Sequence, residues 1–308
     1  MTAMLHEVFY WVLNMSITAA VTGLPVMLIR RIKKIPRRFV VFLWLIPFLR
    51  MAVPLGVNSP YSLMSLLSRV ASRAVVVYEP AEDVAFSMMN SVVAADAYFP
   101  ITYKSDALRG VFNAASVAWL AVSLALLLTS LLTYCTTLRA LKGATRLKDD
   151  VYLLEDAASP AVYGIVKPKI VLPANCARAD IGLIVLHEKT HVRSGDNLWR
   201  VLALALACVH WFSPLSWSFL QRLLEDIELS CDERVLTSLG DGRKKEYAAA
   251  LLRASGRGTT LFVSPFGGAK LRTRLENILS FRRATRLSLA AFALFAGMLF
   301  YVSLTNAG

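Results

Sequence analysis

Residues Val8 to Ile29 run for 22 positions without a charge, and six of the next nine, Arg30, Arg31, Lys33, Lys34, Arg37 and Arg38, are basic. As a helix, a run of that length crosses a hydrocarbon core of ~30 Å. The basic cluster beside it marks a cytoplasmic loop, so the N-terminus is expected outside. The run has no basic segment before it and no A-x-A site, and reads as a retained span rather than a cleaved signal peptide.

Three further apolar stretches follow the same logic: Phe39 to Val57 returning outward, Val111 to Cys135 leading inward, and Leu287 to Thr305 leading out again. Arg50 stands in the second of them, toward its outer end, where snorkelling to the interface is expected. The apolar share of 56% exceeds that of a soluble domain because of these blocks. The net charge of +13 clusters beside them, and 23 of the 34 basic residues fall between Arg139 and Arg286. That distribution is topological and gives no reason to expect direct nucleic acid binding. Cys135, Cys176, Cys208 and Cys231 show no paired spacing, which suits a reducing compartment better than a disulfide framework.

The expected architecture is a mainly α, polytopic membrane protein. It has four transmembrane helices, with a cytoplasmic α+β domain between the third and fourth. Residues 1–57 hold the first two spans and 58–110 an extracytoplasmic loop with interfacial helices; the third span is 111–136, the cytoplasmic domain 137–286, and the fourth span 287–308. Both termini then lie outside, and the lipid bilayer is the first partner. Within 137–286, Val151 to Leu154 and Ala161 to Leu172 read as strands, the second a hairpin around Gly164 and the turn Lys167-Pro168.

The chemistry sits in Leu183 to Asp196, where His187, Glu188 and His191 have the spacing H-E-x-x-H. Four residues apart on a helix, the two imidazoles point the same way and can share one Zn²⁺. Glu188 is then placed to take a proton from a water that the metal activates. Gly195-Asp196 breaks the helix, with Asp196 expected as the N-cap of the next.

Downstream, Glu228 and Asp232 share one face of a helix, four residues apart. A carboxylate completes the His₂Glu set of catalytic zinc, so Glu228 is the expected third ligand. Asp232 is expected to hold the free N–H of a ligand His. Cys231 reads as a small buried thiol and His210 as a core residue. Leu198 to Leu220, broken at Pro214, cannot cross the membrane once without separating the ligands, so it is expected to touch the inner leaflet without crossing. The basic face of the last amphipathic stretch, with Lys270, Arg272 and Arg274, is expected along anionic headgroups.

Taken in order, YGIVKPKIVLP, HEKTHVRSGDNLWR, WFSPLSW, EDIELSCDERVL, EYAAALL and KLRTRLENIL resemble the BlaR/MecR family of integral-membrane zinc metallopeptidases. The resemblance implies a gluzincin-type endopeptidase facing the cytoplasm, with His187, His191 and Glu228 on zinc and Glu188 catalytic. It implies a signal received outside, self-cleavage, and cleavage of a cytosolic transcriptional repressor. The self-cleavage segment would lie at Leu279, Ser280, Phe281, Arg282 and Arg283, although no residue marks the bond. The sequence shows no S-x-x-K motif up to Gly308, so a form without the C-terminal penicillin-binding sensor domain is expected. Its signal would enter through the 58–110 loop or a separate sensor protein. An oligomer is compatible with this reading. Two others stay open: a constitutive quality-control metalloprotease, and a non-enzymatic receptor or scaffold with a structural zinc site.

Overall fold

A computed structural model describes residues 2–32, 35–53, 58–59, 61–63, 106–155, 157, 159–174, 176, 179–254, 271–283 and 285–307. Most of the loop expected to carry interfacial helices therefore lies outside the described residues. Among the described residues the chain is mainly helical. Helices α1 (Thr2–Ile29), α2 (Arg37–Leu43) and α3 (Leu45–Ala52) come first, then α4 (Asp106–Ala140). The H-E-x-x-H helix is α5 (Ile181–Ser194), followed by α6 (Asp196–Val209), α7 (Pro214–Leu239), α8 (Lys244–Ala254), α9 (Leu271–Ser280) and α10 (Arg286–Leu304).

Among the described residues, three helices are long and apolar enough to cross a membrane: Val8–Ile29 within α1, Gly110–Gly143 running through α4, and Arg286–Leu304. The stretch expected as the second span forms two short helices meeting at Trp44. The cause is Pro47, which has no N–H to give the carbonyl of Leu43, and the neighbouring bond from Phe48 N to Trp44 O is stretched to 3.4 Å. Arg50 does not snorkel. It is 2% exposed, and its Nε and Nη2 donate to Ser303 O at 2.8 Å and Thr305 O at 2.5 Å. A cation there satisfies carbonyls left over at the C-terminal end of α10, which is why burial is tolerated.

Two small sheets complete the fold. Strands β1 (Asn58–Ser59) and β6 (Asn306–Ala307) pair in parallel next to Arg50. The larger sheet contains β2 (Thr145–Lys148), β3 (Val151–Leu154), β4 (Ala161–Tyr163) and β5 (Lys169–Pro173) in the order β2-β3-β5-β4. β4 and β5 form the expected antiparallel hairpin, with Val162 opposite Ile170. Gly164 has φ of 92°, and a Cβ there would meet Lys167 O at 2.8 Å, so the turn requires glycine. Val151, Ile170 and Leu172 of this sheet pack on Ile184, fixing the strands against α5.

Helix α7 is the axis of the molecule. Toward its N-terminus Phe219, Leu220, Leu223 and Ile227 pack with Val26, Val40, Leu43, Trp44 and Ala207. Toward its C-terminus Cys231, Val235 and Leu236 pack with Leu183, Tyr247 and Ile278. Between the two clusters its carboxylates grip the basic loop after α1. Asp226 accepts from Arg30 Nε at 2.8 Å and Trp44 Nε1 at 2.9 Å, and Glu233 accepts the backbone N–H of Arg37 at 2.9 Å. The apolar stretch Leu198 to Leu220, expected not to cross, is bent back on itself. It is a helical hairpin, α6 up and α7 back, turning at His210 to Ser213 and packed among α1, α3 and α4.

Candidate metal centre

Helix α5 forms because Leu183 and Ile184 bury one face against α7 and the sheet, which draws His187, Glu188 and His191 inward as well; these are 6%, 7% and 4% exposed. The two rings stand nearly perpendicular, at 89°, and their Nε2 atoms lie 3.2 Å apart.

Each Nδ1 already has a partner. His191 Nδ1 lies 2.6 Å from Asp196 Oδ2, so Asp196 holds His191 rather than capping α6; the cap position is Gly195, in the left-handed region at φ 65°. His187 Nδ1 lies 2.8 Å from the Tyr247 hydroxyl, which donates to Asp232 Oδ1 at 2.7 Å. Asp232 Oδ1 itself is 3.5 Å from that nitrogen, so its main link to His187 runs through Tyr247. When each Nδ1–H donates to its acceptor, the two Nε2 atoms are left facing each other, open to a shared proton or a cation. Two lone pairs at that separation repel unless a proton or a cation lies between them.

Glu228, projected from α7, faces the same point. Its Oε1 is 3.6 Å from His191 Nε2 and its Oε2 3.8 Å from His187 Nε2. Tetrahedral donors with bonds of 2.0–2.1 Å stand about 3.3–3.4 Å from one another, so the three groups fit a zinc ion with small adjustments. Cys231 offers an alternative third group, since ligand atoms of His187, His191 and Cys231 can be chosen within 4.8 Å of one another. Its Sγ lies 3.5 Å from His187 Nδ1, the nitrogen that meets Tyr247, rather than at the paired Nε2 of that ring.

Two arginines frame the carboxylates. Arg200 Nη2 donates to Glu228 Oε1 at 2.6 Å from the second turn of α6. Arg274 reaches in from α9, with Nη1 3.2 Å from Glu228 Oε2, Nε and Nη2 donating to Asp232 at 2.9 and 2.8 Å, and Nη2 3.2 Å from His187 Nε2. Arg274 therefore does not lie along headgroups; its α9 neighbour Arg272 pairs outward with Glu276 at 2.9 Å. Burial works against charge on His191, but Cys231, Glu228 and Asp196 outweigh it and push that imidazole up to about 9. Burial likewise favours a neutral Glu228, which His191 and Arg274 reverse, holding it well below the usual carboxylate range. The pocket stabilises positive charge at the rings, as a divalent cation site must.

The structure thus brings His187, His191 and Glu228 to one point, with Glu188 beside them on α5. The segment Leu279 to Arg283 lies off to one side. Lys244 Nζ donates to Phe281 O at 2.8 Å and Arg283 Nη2 to Thr237 O at 3.2 Å. Arg200, Tyr247 and Arg274 carry no spacing signal linking them to the histidines, and only the folded chain assembles them.

The family model described as BlaR1 peptidase M56 matches residues 10–278. Similar proteins include the regulatory protein BlaR1 of Bacillus licheniformis, 27% identical over 145 residues, or 44% of this chain and 24% of that protein. The methicillin resistance mecR1 protein of Staphylococcus aureus is 32% identical over 101 residues, or 32% of this chain and 17% of that protein. The matched stretches span a quarter or less of those relatives' lengths.

Proposed function

Because this chain belongs to the BlaR1 peptidase M56 family, we propose that it is a membrane zinc metalloendopeptidase of the H-E-x-x-H, gluzincin type. Its proposed ligands are His187, His191 and Glu228. The observation that carries this reading is the pair of Nε2 atoms 3.2 Å apart, each with its Nδ1 committed elsewhere, facing the Glu228 carboxylate. Zinc held there supplies Lewis acidity toward water and the scissile carbonyl. Glu188 accepts the proton of the attacking water and passes it to the leaving amine. Asp196, and Tyr247 backed by Asp232, keep the two imidazoles in the ligating tautomer. Arg274, the guanidinium beside His187 and Glu228, would hold the carbonyl oxygen as charge develops on it by giving up one of those contacts.

By analogy with the regulatory name of the Bacillus relative, the substrates proposed are a cytosolic transcriptional repressor and the chain itself, at Leu279 to Arg283. In the arrangement described, Arg274 rather than that segment enters the pocket from α9. Self-cleavage therefore requires α9 to withdraw or a second copy to present the bond. The proposed topology keeps four spans, the second formed by α2 and α3, with the metal centre on the cytoplasmic side.

The test uses the full chain in lipid nanodiscs. The wild type should bind one zinc and cut a repressor-derived substrate; Glu188→Ala should bind zinc and cut nothing. Glu228→Ala should lose zinc while Cys231→Ala keeps it, and the reverse pattern would assign the third ligand to Cys231. Undiminished proteolysis by Glu188→Ala would remove the mechanism.

A further inference from the structure

The bracket Arg200 to Arg222 encloses 21 residues with no Asp, Glu, Lys or Arg. That is enough for one crossing, yet the structure folds it into the hairpin of α6 and the first turns of α7. The ends of the hairpin stay together. Arg200 bonds Glu228 at 2.6 Å, Arg222 bonds Glu225 at 2.9 Å, and Asp226 holds Arg30 at the basic end of α1.

The turn is elsewhere. His210 is fully buried, its Nδ1 2.7 Å from Ser16 Oγ and its Nε2 3.1 Å from Met51 O. Trp119 Nε1 of α4 donates to Val209 O at 2.8 Å, and the rings of Phe212 and Phe9 lie 6.1 Å apart. Ser16 precedes Ile29 by 13 residues, which on a helix is ~20 Å from the basic end of α1. The 14 residues of α6 give a stem of about 21 Å, the same depth reached independently.

The outer face of the stem is apolar. Leu198, Trp199 and Leu202 are 46%, 40% and 45% exposed, and this face continues onto α4, where Leu124, Leu128, Leu131 and Leu132 are each more than half exposed. The two helices meet at the C-terminal end of α6, where Trp119 reaches Val209 O and Ser130 Oγ lies 4.0 Å from Cys208 Sγ. A helix as long and apolar as α4 suits acyl chains as its surroundings, and the apolar stem packed against it suits the same solvent.

We propose that residues 198–221 form a re-entrant membrane hairpin. It enters from the side of the metal centre, reaches about two-thirds of the way through the ~30 Å core, presents Leu198, Trp199 and Leu202 to lipid acyl chains, and returns to the same side. Both ring nitrogens of His210 and the Val209 carbonyl are satisfied by α1, α3 or α4, as a turn at that depth favours, while Trp211 Nε1 is buried without a hydrogen-bond partner among the described residues. The inference rests on α1 crossing the bilayer and is independent of the peptidase chemistry.

The test places single cysteines at Arg193, just before the hairpin, and at Leu202 and Gln221 in the full chain with its four native cysteines changed to serine, reconstituted in sealed vesicles. An impermeant maleimide should reach Arg193→Cys and Gln221→Cys from one and the same side. A spin label at Leu202→Cys should be relaxed by oxygen and not by an aqueous nickel chelate. Labelling of the two ends from opposite sides would replace the hairpin by a single crossing. A Leu202 label open to nickel would put it in water. The Trp199→Phe chain, with its cysteines intact, is a check that does not depend on the cysteine-free background. The emission it loses relative to wild type should be quenched by brominated acyl chains; quenching by iodide instead would overturn the proposal.

Discussion

His191 Nδ1 donates to Asp196 Oδ2 across 2.6 Å, so the residue that opens α6 fixes the ring that closes the H-E-x-x-H motif. Only Gly195 separates the two helices, and its left-handed backbone turns α6 back far enough for the Asp196 carboxylate to reach the ring. Asp196→Asn should keep the fold and weaken zinc binding by roughly 10–100-fold, because the amide no longer selects the tautomer or raises the basicity of Nε2. Competition with a fluorescent chelator measures it, and an unchanged affinity would remove Asp196 from the centre.

Tyr247→Phe should cost less. His187 loses its nearest acceptor, but Asp232 Oδ1 at 3.5 Å can close on the vacated Nδ1–H. Zinc affinity should fall by roughly tenfold at most, the scale of one neutral hydrogen bond. A larger loss than that of Asp196→Asn would mean that Tyr247 does more than orient the ring.

Arg274 opposes the metal electrostatically while holding Asp232 and Glu228. Arg274→Gln should therefore tighten zinc binding by on the order of tenfold, ~1.4 kcal/mol, as Glu228 is released from a charged partner. The same variant should lower kcat if the guanidinium steadies the carbonyl oxygen. Weaker zinc binding together with unchanged kcat would leave Arg274 a packing residue only.

The sequence made the approach of His187, His191 and Glu228 legible because each depends on a local rule: i to i+4 on one helix, and a carboxylate on a later one. It made the β4–β5 hairpin legible through Gly164, whose φ of 92° suits only glycine there. What it did not contain was tertiary. Asp196 looks like a cap until the turn at Gly195 swings it onto His191. Arg274 looks like one more charge on an amphipathic face until α9 packs on α7 through Ile278. Arg50 reads as an interfacial anchor until the end of α10 arrives with two carbonyls to satisfy. The break at Pro214 was legible but not the direction of the turn beside it, which is decided by His210 meeting Ser16 and Met51.

Gly23 sets the approach of α1 to α7. A Cβ on it would lie 2.2 Å from Phe219 Cζ, and Phe219 is 1% exposed with no room to swing away. Gly23→Ala should destabilise the chain by about 1–3 kcal/mol, the usual cost of overpacking a filled core. Phe219→Leu in the same chain should recover part of it. Thermal unfolding in detergent micelles reads both, and a Gly23→Ala protein as stable as wild type would show that the two helices can part freely.

The start of α5 supplies a pH test away from the metal. Asp180 accepts from Arg253 Nε and Nη2, both at 2.7 Å, tying α8 to the first turn of the H-E-x-x-H helix. Those hydrogen bonds hold the Asp180 carboxyl below its ordinary value, with burial pulling the other way. A carboxylate whose pKa is depressed on folding adds stability above its unfolded pKa of about 3.9 and loses it as pH falls through the lower folded value. Because the Arg253 side chain is 56% exposed, solvent and salt screen the pair and the effect should be modest. Asp180→Asn should therefore melt slightly below wild type at neutral pH, with the gap narrowing in high salt and closing under acid conditions, where a protonated Asp180 resembles the amide. Thermal melts of both chains in the same detergent across that range decide it, and a gap that persists undiminished in acid would mean that Asp180 acts through its shape rather than its charge.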